Sequence, residues 1–282
     1  MLFDSYGKYI FYDGAMGTML YKHGLKSGDM PDLMNLSAPE IVESIHRMYV
    51  DAGSDILCTN TFGSNAVTLK GTGHNAPEII AAAVASAKRA SNGKSIVALD
   101  IGPTGQLLEP YGDLEFEEAY EAFKEMAIAG EKNGADCVAI ETMGDLEEVK
   151  AAMTAVRDNT KLPILVTMTF DKFGVTYMGV KAEKFVETAE ALGATAIGLN
   201  CSLEPPEMHV TAELIAKTTK LPLIVKPNAG LPDGKGGEYH TGAKEFAEQM
   251  LFFADIGVKI VGGCCGTTPD YIRELKKAYE NL

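Results

Sequence analysis

The chain of 282 residues has no tryptophan, no surplus of positive charge and no apolar run approaching 18 residues. Each absence narrows the problem. A membrane-spanning helix needs about 20 consecutive apolar residues, so no membrane span is expected. The N-terminal stretch MLFDSYGKYIF lacks the long apolar segment of a secretory signal, which makes a cytoplasmic location the expectation. Lysine and arginine number 25 against 39 aspartates and glutamates, a net charge of −14, with no basic cluster. That balance offers phosphates no footprint, so no nucleic-acid partner is expected. Cysteine is scarce as well. Its five copies are an odd number without small-scaffold spacing, which argues against a disulfide framework. In a reducing compartment, clustered cysteines more often bind metal or react.

What is present is periodic. Short apolar runs occupy 9–17, 55–63, 96–103, 137–143, 163–170, 196–202, 222–230 and 260–267, eight in all. They are nearly continuous and not alternating, as parallel strands buried on both faces should be. Amphipathic helical patterns follow them. SAPEIVESIHRMYVDAG places Ser37 as the expected N-cap, Pro39 and Glu40 in the first turn and Gly53 at the close. Phe116, Ala119, Tyr120, Phe123, Met126 and Ala127 form a helical stripe ending at Gly134. Eight β-then-α units without a linker predict a single-domain (β/α)8 TIM barrel over residues 1–282.

In such barrels the chemistry sits at the C-terminal ends of the strands. Asp13, Asn60, Thr61, Asp100, Glu141, Asn200, Cys201, Asn228, Cys264 and Cys265 fall there, whereas the N-terminal ends read as apolar or plain. That asymmetry points to an enzyme. Cys58 and Cys137 lie inside apolar runs and are expected to be small core residues. Cys201 lies near the end of the sixth run, and the adjacent Cys264 and Cys265 sit among glycines near the end of the eighth. Neighbours on a regular strand point to opposite faces, so the glycines imply a turn that aims both sulfurs one way.

Three convergent thiolates suit zinc, with a fourth position left open for catalysis. His23, His46, His74, His209 and His240 lie away from strand ends and supply no fourth ligand. Zinc held by three thiolates carries a net charge of −1, a poor activator of water but a good acceptor for a thiol substrate. A free thiol is only about 3% ionised at pH 7, and metal coordination deprotonates it. S-alkylation is the chemistry that follows. A vicinal disulfide or incidental buried thiols remain alternatives, as do a Schiff-base lyase using Lys226 and a zinc-storing or redox-sensing protein without catalysis.

DGAMGTML, TNTFGSN, DIGPTG, GLNCS, PNAG and GGCCGTTP together resemble the homocysteine S-methyltransferase family, from about Tyr9 to Ile272. The segments are most similar to the homocysteine-binding barrel of the cobalamin-dependent methionine synthases. The resemblance implies that Cys201, Cys264 and Cys265 ligate zinc and act catalytically, with homocysteine sulfur in the fourth position. It further implies that Asp13 and Glu141 hold the substrate ammonium; as plain residues the two could equally be an N-cap or satisfied rim carboxylates. NTFGSN and DIGPTG would shape the methyl-donor entrance, or serve only as loop turns. No D-x-H-x-x-G corrinoid signature occurs in the chain, so methylcobalamin or another corrinoid would be carried by a separate partner protein. S-methylmethionine and betaine are the alternative donors. The resemblance assigns no role to Lys226.

Overall fold

The computed structural model describes residues 2–4, 6–231, 239–280 and 282. Eight strands form its centre: β1 Ile10–Phe11, β2 Ile56–Cys58, β3 Ile96–Ile101, β4 Cys137–Met143, β5 Ile164–Met168, β6 Ala196–Asn200, β7 Leu223–Lys226 and β8 Ile260–Val261. Neighbours pair in parallel in the order β1-β8-β7-β6-β5-β4-β3-β2. Tyr12 bridges Ile56, and the Asp13 N–H donates to the Ile56 carbonyl over 3.0 Å, which brings β1 against β2. This is the expected (β/α)8 barrel.

The helices are α1 Gly17–Lys22, α2 Met34–Ser37, α3 Pro39–Ala52, α4 Ala76–Ser91, α5 Phe116–Lys132, α6 Leu146–Asn159, α7 Ala182–Ala191, α8 Pro205–Thr218, α9 Ala243–Asp255 and α10 Pro269–Tyr279. The strands bury both faces, which explains the unbroken apolar runs. Ile10, Ile56, Leu165, Ile224 and Ile260 fill the barrel interior, and Cys137 packs with them as expected. Val138, Ile140 and Val166 face outward against Phe123, Val149 and Phe185 of the helices. Each such side chain contributes about 1.5–3 kcal/mol on burial.

Three local expectations are corrected. Ser37 is not the N-cap of α3: it ends α2, its hydroxyl donating to the Leu33 carbonyl, and Ala38 stands at the cap. The preceding helical turn claims the serine before α3 begins. Gly53 does close α3, at φ +101°. The strands at both ends of the sequence are shorter than their apolar runs, because the chain leaves the ladder after Phe11 and Val261 to build loops at the mouth. The N-terminal strand ends are also not plain. Asp55 accepts from the Phe11 N–H at 2.9 Å and Asp136 from the Val97 N–H at 2.7 Å, so carboxylates there tie one strand to the next.

Candidate active site

Cys264 and Cys265 reach one point because the backbone turns immediately after β8. Gly266 takes φ +82°, and a Cβ there would lie 2.2 Å from the Tyr239 ring. A Cβ on Gly263 would meet Thr267 Oγ1 at 2.3 Å, the same hydroxyl that donates to the Cys264 carbonyl at 2.7 Å. Glycine is therefore required for close approach at one position and for conformation at the other. Cys264 N–H donates to Pro227 O and Ala229 N–H to Cys265 O, which lashes the turn to the end of β7.

On the other side of β7, Cys201 follows β6 with φ +60°, and Ser202 follows at +65°. Two consecutive non-glycine residues in the left-handed region store strain of about 1–3 kcal/mol each. That strain aims Cys201 at the turn. The Sγ atoms of Cys201, Cys264 and Cys265 all lie within 4.8 Å of one another, and Cys201 and Cys265 are 3.8 Å apart. A disulfide needs about 2.05 Å, and all five cysteines are free. Sulfurs each about 2.3 Å from a tetrahedral zinc stand roughly 3.8 Å apart, so the spacing fits that ion. Hydrogen bonds from Cys201 and Cys264 hold the Cys265 thiol far below its ordinary value, to about 3. Donating to Cys201 and Cys265 pushes Cys264 up. Cys264 lowers Cys201, but Cys265 and burial outweigh it and carry Cys201 to about 12.

The sulfurs face a cavity of about 400 Å³ whose lining also includes Asp13, Asp100, Glu141, Cys58 and Lys226. Asp13, just beyond β1, accepts from the Cys58 N–H at 2.8 Å. Burial pushes its carboxyl up to about 7, against the lowering influence of Lys226. Burial and Glu141 raise Asp100 well above the carboxylate range, and its buried Oδ1 has no hydrogen-bond partner. Glu141 forms an ion pair with Lys226 Nζ, which lies 4.3 Å from the centroid of the Tyr12 ring.

One expectation changes here. Cys58 is not a mere core residue: its Sγ lies 4.0 Å from both Glu141 Oε2 and Lys226 Nζ, on the cavity side of β2. Its position as the last residue of β2 puts it at the mouth, which the apolar run concealed. Asp13 and Glu141 do share a cavity, but a cation from the chain itself already sits on Glu141. Cys58, Asp100 and Glu141 also lie close enough to hold a metal; Lys226 supplies the positive charge there instead. Burial alone would lower the Lys226 pKa, but the Cys58 sulfur and Glu141 raise it well above the ordinary lysine value. Burial keeps the Cys58 thiol protonated, so Glu141 carries the effect. A charged lysine cannot add to a carbonyl, which counts against Schiff-base chemistry.

Asn200, the residue before Cys201, has a part the sequence did not disclose. Its Oδ1 accepts from the Thr142 N–H at 2.9 Å and from Thr167 Oγ1 at 2.7 Å, while Nδ2 donates to Thr142 Oγ1 at 2.8 Å. Thr142 sits at φ +62° directly after Glu141. The clamp therefore sets both the acidic and the sulfur side.

The rim motifs brace the mouth. In TNTFGSN, Ser64 Oγ and Gly63 N–H donate to the buried Asp32, and Asn60 donates to the Pro31 carbonyl. In DIGPTG, Thr104 donates from both N–H and Oγ1 to the buried Glu148 of α6. Asp32 and Glu148 lie outside the motifs, on elements whose sequence carries no signal of that contact. Among the described residues, no helix is long and apolar enough to cross a membrane.

The sequence profile of homocysteine S-methyltransferase matches residues 10–279. Methionine synthase of Mycobacterium leprae is 36% identical over 94% of this chain, and methionine synthase of Mycobacterium tuberculosis 34% identical over 96%. The chain spans 24% of the length of each of these relatives. Among solved structures, the metallated homocysteine methyltransferase MmuM from Escherichia coli superposes with a TM-score of 0.85 at 21% identity, over 98% of this chain and 99% of that one, a likeness of fold. The profile match along nearly the whole barrel places the chain in the homocysteine S-methyltransferase family.

Proposed function

We propose that this barrel binds homocysteine as a zinc-held thiolate and methylates it to methionine, with a methylcorrinoid on a separate protein as donor. The observation that carries the reading is the convergence of Cys201, Cys264 and Cys265 on a cavity that is acidic on one side. Zinc, when bound, supplies the charge that keeps a substrate sulfur deprotonated at neutral pH. The three cysteines would hold it, and the reacting sulfur would take the open position. Asp13 and Glu141 accept the substrate's ammonium in charge-assisted hydrogen bonds. Asp100, with its unpartnered Oδ1, adds a third acceptor beside them.

Methyl transfer then needs only alignment. The sulfur lone pair forms the new C–S bond as the donor's bond to the methyl carbon breaks, with that electron pair leaving on the donor. Met16, Met30, Pro31 and Phe62 give the cavity an apolar wall where a methyl group can approach away from water. Large apolar side chains stand exposed on loops after β2, β3 and β5, among them Phe62, Tyr111, Phe173 and Tyr177. Such a rim suits a broad donor presented by another protein better than a small solute. A storage or sensor protein would have no use for buried acids beside the thiols.

The test is a methyl-transfer assay with the zinc-loaded chain, homocysteine and a donor panel of methylcobalamin, a methylcorrinoid protein, S-methylmethionine and betaine. Methionine formation from the corrinoid donors is expected. No methionine from any of the four would reject the activity.

A further inference from the structure

Lys226 lines the site but has no part in the proposed chemistry. It ends β7, paired in register with Asn200, and is 4% exposed. A buried ammonium is costly unless paired. Here Glu141 provides the pair, through Oε2, and the Tyr12 ring provides a face 4.3 Å away. The contacts of Glu141 with Lys226 and Cys58 both use Oε2; among the described residues, Oε1 takes no hydrogen bond. Asp100 Oδ1, on the same cavity wall, is buried and has no hydrogen-bond partner either. The floor of the site thus holds one resident cation and a surplus of acceptors. Its missing complement is a group with several N–H donors and one positive charge, which describes a primary ammonium.

We propose that Lys226 is a positioning residue that makes the site select amine-bearing thiols: it anchors Glu141 by one oxygen and leaves the other for the amino group of the substrate. This rests on the homocysteine reading above. Without Lys226, the floor would present three carboxyl groups and no cation, and Glu141 would lose its anchor. A thiol acid lacking the amino group makes no use of that floor, so its binding is insensitive to Lys226.

The experiment is calorimetric titration of the zinc-loaded chain with homocysteine and with 4-mercaptobutanoate, which is the same thiol acid without the amine. Wild type, Lys226→Met, Glu141→Gln and the double variant are compared, with zinc content and melting temperature measured for each. Wild type is expected to prefer homocysteine. In Lys226→Met that preference should fall about tenfold, the scale of one charge-assisted contact, while 4-mercaptobutanoate binding stays within about twofold. The double variant should discriminate no worse than Glu141→Gln, since Lys226 acts through Glu141. It also removes both buried charges, so it remains testable should a single variant fail to fold. If wild type binds no homocysteine, the proposal and the underlying reading fall together. An unchanged amine preference in folded, zinc-loaded Lys226→Met overturns the proposal alone, as does an equal loss of both ligands. If Lys226→Met does not fold, a double variant that discriminates worse than Glu141→Gln overturns it too.

Discussion

Asn200 Nδ2 donates to Cys264 Sγ over 3.7 Å, joining the end of β6 to the turn after β8 across the intervening β7. The same amide grips Thr142 beside Glu141. A single side chain thus fixes the separation between the sulfur cluster and the acidic floor. Asn200→Ala should weaken zinc binding by about ten- to a hundred-fold, as loss of a partner to a ligand does. It should raise the homocysteine requirement as well. Competition with a calibrated chelator measures the first; zinc affinity equal to wild type would show that the contact is incidental.

One zinc per chain is expected. Replacing Cys201, Cys264 or Cys265 with alanine should abolish tight binding, measured by metal analysis after dialysis. A disulfide between Cys201 and Cys265, already 3.8 Å apart, would remove two ligands, so mild oxidation should release the ion and reduction restore it. Full zinc and full activity in Cys264→Ala would refute the three-thiolate site. The barrel should survive each change, because the sulfurs lie at its rim and not among the interior residues.

Asp13→Asn and Glu141→Gln should not behave alike. On the proposed reading each removes a charge-assisted contact with the ammonium, about 1.5–3 kcal/mol or roughly ten- to a hundred-fold in affinity. Glu141→Gln also strands the buried Lys226 ammonium, at a cost of about 3–5 kcal/mol in stability. Urea unfolding should separate the two. Equal stability in both variants would mean that the Lys226 pair contributes nothing to the fold.

Asp13 sets a pH signature. Its folded pKa, about 7, lies above the ordinary value of 3.8 because the group is buried. The stability this contributes is present below about pH 4 and is lost as pH rises toward 7. Asp13→Asn should therefore gain stability relative to wild type at pH 8 but not at pH 4. Homocysteine binding should run the other way, strengthening as Asp13 ionises between pH 6 and 8, and that increment should vanish in the variant. Parallel binding curves for the two proteins would exclude Asp13 as an ammonium partner.

The proposed corrinoid donor makes a further prediction. Free methylcobalamin should react slowly and only at high concentration, and a corrinoid protein should accelerate the transfer by holding the methyl group in line with the sulfur. Brisk turnover with S-methylmethionine or betaine, and none with methylcobalamin, would replace the donor while leaving the barrel and the sulfur cluster as they are.

The sequence by itself determined the barrel and the convergence of the cysteines. Runs such as IVALDI and AIGLN report burial on both faces, a property of each segment alone. Ring order then follows from eight repeats of one right-handed unit, which puts Cys201 one strand away from Cys264 and Cys265. Tertiary structure decided what lies between them. Lys226 and Glu141 are 85 residues apart, and Asn200 and Thr142 are 58. No local pattern relates such pairs; barrel closure alone sets the distance between their strand ends. The left-handed backbone at Thr142, Cys201 and Ser202 was equally hidden, because threonine, cysteine and serine avoid that region by preference and enter it only where the surrounding contacts hold them. For the same reason Cys58 read as core: an apolar run shows that a strand is buried, but where the strand meets the cavity depends on the neighbours it pairs with.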